Sequence, residues 1–369
     1  MKFEIEIQLR EACGAAYVGQ MPYYRSGGRT DAVCFERGRI VIEAERKHRF
    51  TEDDVFMNLQ HTLYNQLVKV LLVHYCQAGS HAGITRITVS EVKGAGAQTL
   101  FSRSFGAGAF PQPFCAFDAP VAFDFAALLG ALGEDDDAYR LRIVLLHWLG
   151  QGRYLDRPGQ AGDRQRRMEI VWRTFERLCE YHLHEPLDKR FIVNTGLNAM
   201  ITEVMTHSAA YPQAAAAVAA ETADTLRVFR WQEMIRNNYP ETPGARNTYA
   251  RNYRDYKAQL IDPFFDERAV QLMLDVLPYR RSELQRYGLY TTIENSLRAK
   301  LAMHQRRDMD VVALLLQYIY FLRNRLFHGQ LLLRVSVFDD ANTDHMRLDF
   351  LTNLLATLAV ELINNRSAL

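Results

Sequence analysis

A polar stretch rich in glycine and proline, residues 150–164, separates two parts of the sequence whose apolar residues follow different periods. Before this stretch, short segments alternate apolar and polar residues, which is the pattern of half-buried β-strands. After it, apolar residues recur mainly at the spacing of amphipathic helices. The sequence therefore predicts an α+β N-terminal domain over residues 1–155 and an all-α domain over residues 160–369, so that the chain is mainly α overall.

The N-terminal part contains a predicted β-hairpin followed by a predicted helix. Residues 31–37 and 39–46 have strand patterns and are joined near Gly38. Thr51 precedes acidic residues, as a helix N-cap does, and predicts an amphipathic helix that continues to about Cys76. The other elements predicted before the boundary are strands over residues 2–8 and 84–92, a long loop over 94–122, and helices over 123–132 and 135–149. Those predicted after it are helices over residues 164–184, 193–208, 213–236, 282–304, 309–328 and 346–365.

Composition limits the classes of function. The formal net charge is +1, so a site for a polyanion has to be a local basic patch rather than a property of the whole chain. The five cysteines are scattered without a CxxC pair, which argues against a disulfide framework and against a cysteine-based zinc site. The N-terminus lacks the pattern of a signal peptide, and the longest apolar stretch, Val311 to Leu322, is too short to span a bilayer. We therefore expect a cytoplasmic protein without a membrane partner.

The apolar helix predicted over residues 309–328 ends in three polar side chains, those of Arg323, Asn324 and His328. Gly329 follows, and glycine is preferred just after a helix end, which places His328 in the last turn. The helix dipole favours a protonated imidazole there. Asn324 lies one turn earlier on the same face, and the long planar guanidinium of Arg323 can reach a phosphate held above that face.

These side chains suit metal-independent cleavage of RNA. The ribose 2′-hydroxyl is a built-in nucleophile, so the site needs a base, an acid and a cation that stabilises the charge developing on the phosphate. One histidine and one arginine from each of two protomers supply this set. The spacing alone is not specific, because Arg-x4-His also occurs at Arg142 and at Arg177. Only at Arg323 does an asparagine follow the arginine and a glycine follow the histidine.

The segment RNRLFHG, residues 323–329, resembles the RNxxxH signature of HEPN domains. The segment RRMEIVWRTFERLCEYHL, residues 166–183, is similar to the aromatic-rich first helix of that bundle. The resemblance covers roughly residues 160–369, with an insertion around residues 212–280. It implies an HEPN-like four-helix core, a homodimer formed through the helical domain, and metal-independent endoribonuclease activity that needs no cofactor.

In that family the arginine and histidine of the motif are catalytic and the asparagine is an accessory polar residue. The resemblance thus implies these roles for Arg323, His328 and Asn324, with RNA as the partner and a role as a toxin or antiviral-defence effector. A non-catalytic HEPN binding or scaffold module is one alternative. A purely structural role is another, in which His328 caps its helix while Arg323 pairs with an acid such as Asp339 or Glu294.

A second constellation lies in the predicted hairpin, where Asp31 begins one strand and Glu45 and Lys47 end the other. If they converge at one sheet edge, the two carboxylates can hold Mg²⁺ and the lysine can stabilise the attacked phosphate. The arrangement resembles the core of PD-(D/E)xK nucleases, although Thr30 stands where those have a proline. It implies a Mg²⁺-dependent nuclease as the alternative function, and an exposed charged hairpin is the non-catalytic explanation. On the favoured interpretation this domain is a sensor or regulatory domain for a regulatory protein or a nucleotide, and it holds no metal.

Two basic segments give further candidate contacts with RNA. Arg164, Arg166 and Arg167 cluster at the predicted domain boundary, and Arg251 and Arg254 alternate with tyrosines. Guanidinium and aromatic groups can bind phosphates and stack on bases. An ordinary exposed helix face is the alternative explanation for both segments.

Overall fold

The computed structural model describes residues 1–10, 16–22, 29–58, 60–78, 83–94, 96–106, 124, 126–128, 161–183, 201, 204, 206–220, 307–327 and 343–365. The chain divides into two compact units, one formed by Met1–His182 with Ala359–Leu369 and the other by Leu183–Leu358. The predicted domain boundary at residues 155–160 lies outside the described residues and stays a prediction.

The N-terminal part forms a six-stranded antiparallel sheet with the strand order β2-β3-β4-β1-β5-β6. Its strands are β1 Lys2–Leu9, β2 Tyr17–Pro22, β3 Thr30–Glu36, β4 Arg39–Glu45, β5 Ile84–Lys93 and β6 Gly96–Ser104. Strands β1 and β3 bury alternate residues, because successive side chains of a strand point to opposite faces. Helices account for 54% of the described residues, so the α+β class and the mainly helical composition are both confirmed.

The predicted hairpin is present between β3 and β4. Phe35 pairs with Ile40, and Glu36 with Arg39, across a tight turn. Gly38 in that turn has a φ of 89°, a left-handed conformation that glycine adopts without steric cost. The Arg39 guanidinium donates to the Glu36 carboxylate at 2.6 Å and closes the hairpin with an ion pair.

The predicted N-cap at Thr51 is also present and opens α1, Glu52–Phe56. The Thr51 hydroxyl accepts from the Asp54 amide at 3.3 Å, and the Asp54 carboxylate accepts from the Thr51 amide at 2.9 Å. This is a reciprocal capping box. The backbone hydrogen bond from Thr51 is the largest of the effects that lower the pKa of Asp54 to about 2.

The prediction of one continuous helix from Thr51 to Cys76 is wrong, since α1 ends at Phe56 and a second helix, α2, covers Thr62–Ala78. Polar side chains between them bind the backbone. The Asn58 carboxamide accepts from the Gln60 amide at 3.1 Å, and the His61 imidazole accepts from the Leu63 amide at 3.3 Å. Such local hydrogen bonds compete with those of a helix.

The predicted loop over residues 94–122 is wrong over its first part, because Gly96–Ser104 forms the edge strand β6. It pairs with β5, with Phe101 opposite Val89, after a turn in which Gly94 has a φ of 59°. Its first four residues are all exposed, so no alternation of apolar and polar residues marks it in the sequence. Strand β2 at the other edge was likewise not predicted.

One face of the sheet supplies the apolar core of the N-terminal part. Phe3, Ile5 and Ile7 of the central strand β1 are at most 1% exposed. An aromatic cluster extends this core, with the Phe50 ring 4.5 Å from that of Phe3 and 6.2 Å from that of Phe101. The opposite face of β1 carries its polar residues.

The α-helices described after residue 160 are α3 Ala161–Leu183, α4 Pro212–Ala219, α5 Arg307–Phe327 and α6 Thr343–Asn364. Helices were predicted at α3, α5 and α6, and their presence is confirmed. Helix α4 lies at the start of the predicted helix 213–236, of which residues 221–236 lie outside the described residues. Helix α5 packs against α4. The helices predicted over residues 135–149 and 282–304 lie outside the described residues. No described helix is long and apolar enough to cross a membrane.

Candidate functional site

Helix α5 carries two of the three residues of the favoured site, and its burial changes sharply along its length. All side chains from Val311 to Ile319 are buried, including the amide of Gln317. After Ile319 the helix has four partly exposed side chains, Tyr320, Arg323, Asn324 and Arg325, whereas Leu326 is buried again. Among the described side chains of α5, solvent access is therefore confined to the last two turns, where the motif lies.

Arg323 and Asn324 contact each other directly. An Nη of Arg323 donates to the Oδ1 of Asn324 at 2.9 Å, in a partly buried position. A guanidinium is planar and rigid, so a hydrogen bond to one of its nitrogens orients the whole group. The amide of Asn324 thereby restricts the guanidinium that the motif assigns to phosphate binding.

Arg325 makes a different kind of contact. Its guanidinium carbon lies 5.7 Å from the centroid of the Phe321 ring, within the range of a cation–π interaction. The Phe321 ring also contacts the Tyr318 ring, with centroids 5.8 Å apart. Arg325 thus packs on the side of α5 that carries Tyr318 and Phe321. Arg323, two residues earlier, instead donates to Asn324.

His328 lies outside the described residues, since α5 is described to Phe327. The distance between its imidazole and the guanidinium of Arg323 therefore stays a prediction. Arg251 and Arg254 also lie outside the described residues. In α3, Arg166 is exposed, while Arg164 and Arg167 are half-buried. 

The residues of the alternative magnesium site lie on opposite faces of the sheet. Asp31 is on the apolar face and is 1% exposed, whereas Glu45 is exposed on the other face and lies 3.6 Å from Lys2 in an ion pair. Lys47 follows the end of β4 and is exposed. The structure does not bring the two carboxylates together, because Asp31 aligns with the buried residues of β3 and Glu45 with the exposed residues of β4.

Asp31 instead belongs to a buried polar network that the sequence did not predict. Its two carboxylate oxygens accept from the two Nη atoms of Arg46 at 2.8 and 2.7 Å, which is a bidentate ion pair. One of these oxygens also accepts from the Gln66 amide at 3.1 Å. The residue next to Glu45, rather than Glu45 itself, is therefore the partner of Asp31.

The same network ties helix α2 to the edge strand β2. The Gln66 amide donates to the carbonyl of Met21 at 2.9 Å, and the Lys69 ammonium donates to the carbonyl of Pro22 at 2.8 Å. Gln66 and Lys69 are at most 1% exposed. A charged lysine is rarely buried unless its ammonium group has a partner, and the carbonyl of Pro22 is such a partner for Lys69.

Within the described ranges, no group of three or more His, Cys, Asp or Glu side chains is arranged to hold a metal ion. Comparisons of the chain with protein-family models, with curated proteins and with solved structures found no match. The case for a function therefore depends on the residues themselves and on their geometry.

Proposed function

We propose that the chain is a metal-independent endoribonuclease of the HEPN type, in which Arg323 and His328 cleave RNA and Asn324 is the accessory residue. The observation that supports this most is that the Arg323–Asn324 pair is partly exposed, in the last two turns of a helix whose side chains are buried from Val311 to Ile319. Placing these two residues where solvent reaches the helix suits contact with a charged ligand.

The proposed reaction needs no bound metal. A histidine takes the proton of the 2′-hydroxyl, whose oxygen then forms a bond to the adjacent phosphorus. The bond from phosphorus to the 5′-oxygen breaks, and a protonated histidine gives that oxygen its proton. The guanidinium of Arg323 stabilises the negative charge of the transition state. The products are a 2′,3′-cyclic phosphate and a 5′-hydroxyl, and a homodimer supplies the second histidine.

The hydrogen bond of 2.9 Å between Arg323 and Asn324 gives the accessory residue a physical role. A guanidinium that is already oriented loses less conformational freedom when it binds a phosphate. Asn324 is then a positioning residue that acts through Arg323. Its replacement by alanine should weaken cleavage less than replacement of Arg323 or His328.

The test is cleavage of a labelled RNA by the full chain in the presence of excess chelator, with analysis of the product ends. We expect wild type to form 2′,3′-cyclic phosphate ends, and His328→Ala and Arg323→Ala to form none while keeping the circular dichroism of the wild type. The matched control is His182→Ala, which removes the histidine of a second Arg-x4-His pair in α3 and should leave cleavage unchanged. Persistent cleavage by His328→Ala would refute the assignment.

The two alternatives give different results in the same assay. A Mg²⁺-dependent nuclease using Asp31, Glu45 and Lys47 loses all activity in chelator, and it draws less support because Asp31 and Glu45 lie on opposite faces of the sheet. A non-catalytic binding module shows no turnover under any condition.

We further propose that the protein acts in the cytoplasm as a toxin or antiviral-defence effector, with the N-terminal domain as its sensor or regulatory part. A regulatory protein or a nucleotide is the proposed ligand of that domain. Expression of wild type should then arrest cell growth, whereas expression of His328→Ala at the same level should not. Equal growth of the two strains would refute the biological role without bearing on the chemistry.

A further inference from the structure

Among the described side chains of α5, four are partly exposed. Arg323 and Asn324 belong to the RNxxxH motif and Arg325 lies next to them, whereas Tyr320 lies outside the motif. The aromatic residues on either side of it in the sequence behave differently, since Tyr318 is 3% exposed and Phe321 is 6% exposed. Both are part of the packed side of the helix, where their rings contact each other. Tyr320 therefore has access to solvent that its aromatic neighbours lack.

The position of Tyr320 relative to the motif follows from helical geometry. Arg323 and Asn324 lie three and four residues after Tyr320, and residues at these spacings are neighbours on a helix surface. The three side chains thus form a continuous, partly exposed strip along the last two turns. Along the axis the backbone positions of Tyr320 and Arg323 are separated by slightly less than one turn, or about 4.5 Å.

A strip of this composition matches a single-stranded nucleotide. A guanidinium binds a phosphate, and an aromatic ring presents a face on which any base can stack. Bases in a duplex are already stacked on one another, whereas those of a loop or an open strand are available. Cleavage by the 2′-hydroxyl also needs a flexible ribose, so a site that holds one unstacked base beside the reacting phosphate favours an open strand.

We infer that Tyr320 binds the RNA substrate by stacking on a base next to the cleaved phosphate, which requires that this base is unpaired. This inference deepens the proposed function and rests on it. Tyr320 is a substrate-binding residue in this scheme and takes no part in proton transfer. Its ring, rather than its hydroxyl, carries the contact.

The first test compares Tyr320→Leu with Tyr320→Phe in the cleavage assay on an unstructured RNA. Leucine removes the ring, and the KM should rise by about 5- to 150-fold, with little change in kcat, as expected for the loss of one base stack. Phenylalanine keeps the ring and should retain the KM of the wild type. Tyr64→Leu is the matched control, because Tyr64 is also a half-buried helical tyrosine but lies in α2. It should leave both constants unchanged.

A second test measures stacking without turnover. An RNA oligonucleotide with one 2-aminopurine beside the cleavage position is mixed with His328→Ala, and the fluorescence should be quenched on binding. A double variant with His328→Ala and Tyr320→Leu should show no quenching. A double variant with His328→Ala and Tyr320→Phe should show the same quenching as His328→Ala alone. If leucine changes the circular dichroism of the chain, Tyr320→Gln replaces it, since glutamine also lacks a ring and suits a partly exposed position.

The outcomes separate the two proposals. Cleavage that depends on His328 together with an unchanged KM and unchanged quenching in Tyr320→Leu would overturn this inference and leave the proposed function standing. Quenching that depends on the ring of Tyr320 in a wild-type chain that never cleaves would support the binding strip and overturn the proposed function. An equally low KM for fully duplex RNA would also overturn the inference.

Discussion

The carboxylate of Asp31 is buried in a bidentate ion pair with Arg46, and its removal should destabilise the N-terminal sheet severely. The Asp31 side chain is 0% exposed and that of Arg46 is 10% exposed. Water therefore has little access to the pair and cannot easily take the place of a removed partner. Asp31→Ala leaves the guanidinium of Arg46 inside the protein without its carboxylate. It also removes the acceptor of the Gln66 amide, 3.1 Å away.

Breaking a buried ion pair by removing one partner costs about 3–5 kcal/mol. The free energy of unfolding of the N-terminal part should therefore fall by about that amount in Asp31→Ala. Urea denaturation followed by circular dichroism provides the measurement. With a urea dependence of about 2–3 kcal/mol per molar, the midpoint should fall by roughly 1–2.5 M.

A double variant distinguishes the ion pair from a general effect of changing a buried position. In Asp31→Leu combined with Arg46→Met, both charges are absent, so neither is left uncompensated. This double variant should be more stable than Asp31→Leu alone. Glu45→Ala is the exposed control, and its ion pair with Lys2 at 3.6 Å should contribute little.

Two results would refute this account of Asp31. The first is a loss below about 1 kcal/mol in Asp31→Ala, which is the size expected of an exposed ion pair. The second is a double variant whose destabilisation equals the sum of the two single variants, since partners in direct contact have a measurable coupling energy.

Two further predictions concern pH and helix capping. Burial lowers the pKa of His74 to about 4, below the usual value of about 6.5 in an unfolded chain. The unfolded state therefore takes up a proton first as pH falls, so the free energy of unfolding should drop between about pH 6.5 and pH 4, by up to about 3 kcal/mol. Urea denaturation at both ends of this range should show a smaller drop in His74→Leu, and an equal drop would contradict the assignment. Thr51→Ala removes the N-cap of α1 and should cost about 1 kcal/mol in the same measurement, whereas Thr51→Ser should cost less; equal stability of the two variants would show that the cap is not formed in solution.

The parts of the fold that the sequence predicted well depend on neighbouring residues. Gly38 predicts its turn because glycine adopts the positive φ that this turn requires. Thr51 predicts its cap because Asp54, three residues later, completes the capping box. Both signals act within a few residues of the chain. Their physical cause is therefore visible before any tertiary contact is known.

The elements that were missed lack a clear apolar pattern of their own in the sequence. Strand β6 is stabilised by its pairing with β5, and its own residues 96–99 are exposed and show no alternation. The break between α1 and α2 was missed for a different reason. Asn58 and His61 bind nearby backbone amides there, and the apolar spacing of the sequence continues across the break.

The candidate site was predicted in its residue types and only partly in its geometry. The motif identified Arg323 and Asn324, but their hydrogen bond was not expected, because adjacent helical residues point in different directions. Tyr320 was missed because it stands within an apolar run, where the sequence does not separate buried rings from exposed ones. The i to i+4 spacing from Tyr320 to Asn324 was the signal that could have identified it.

The position of β1 in the middle of the sheet has a consequence for how this part of the protein is made. Strand β1 precedes both of its partners in the chain, and it pairs with residues 39–45 on one side and with residues 84–92 on the other. Its pairing is complete only after both partner strands have been synthesised. Pairing between residues that are distant in the sequence also lowers the folding rate. Removal of the first nine residues would separate β2-β3-β4 from β5-β6, so a shortened chain should yield two incomplete ribbons that tend to aggregate through their exposed edges.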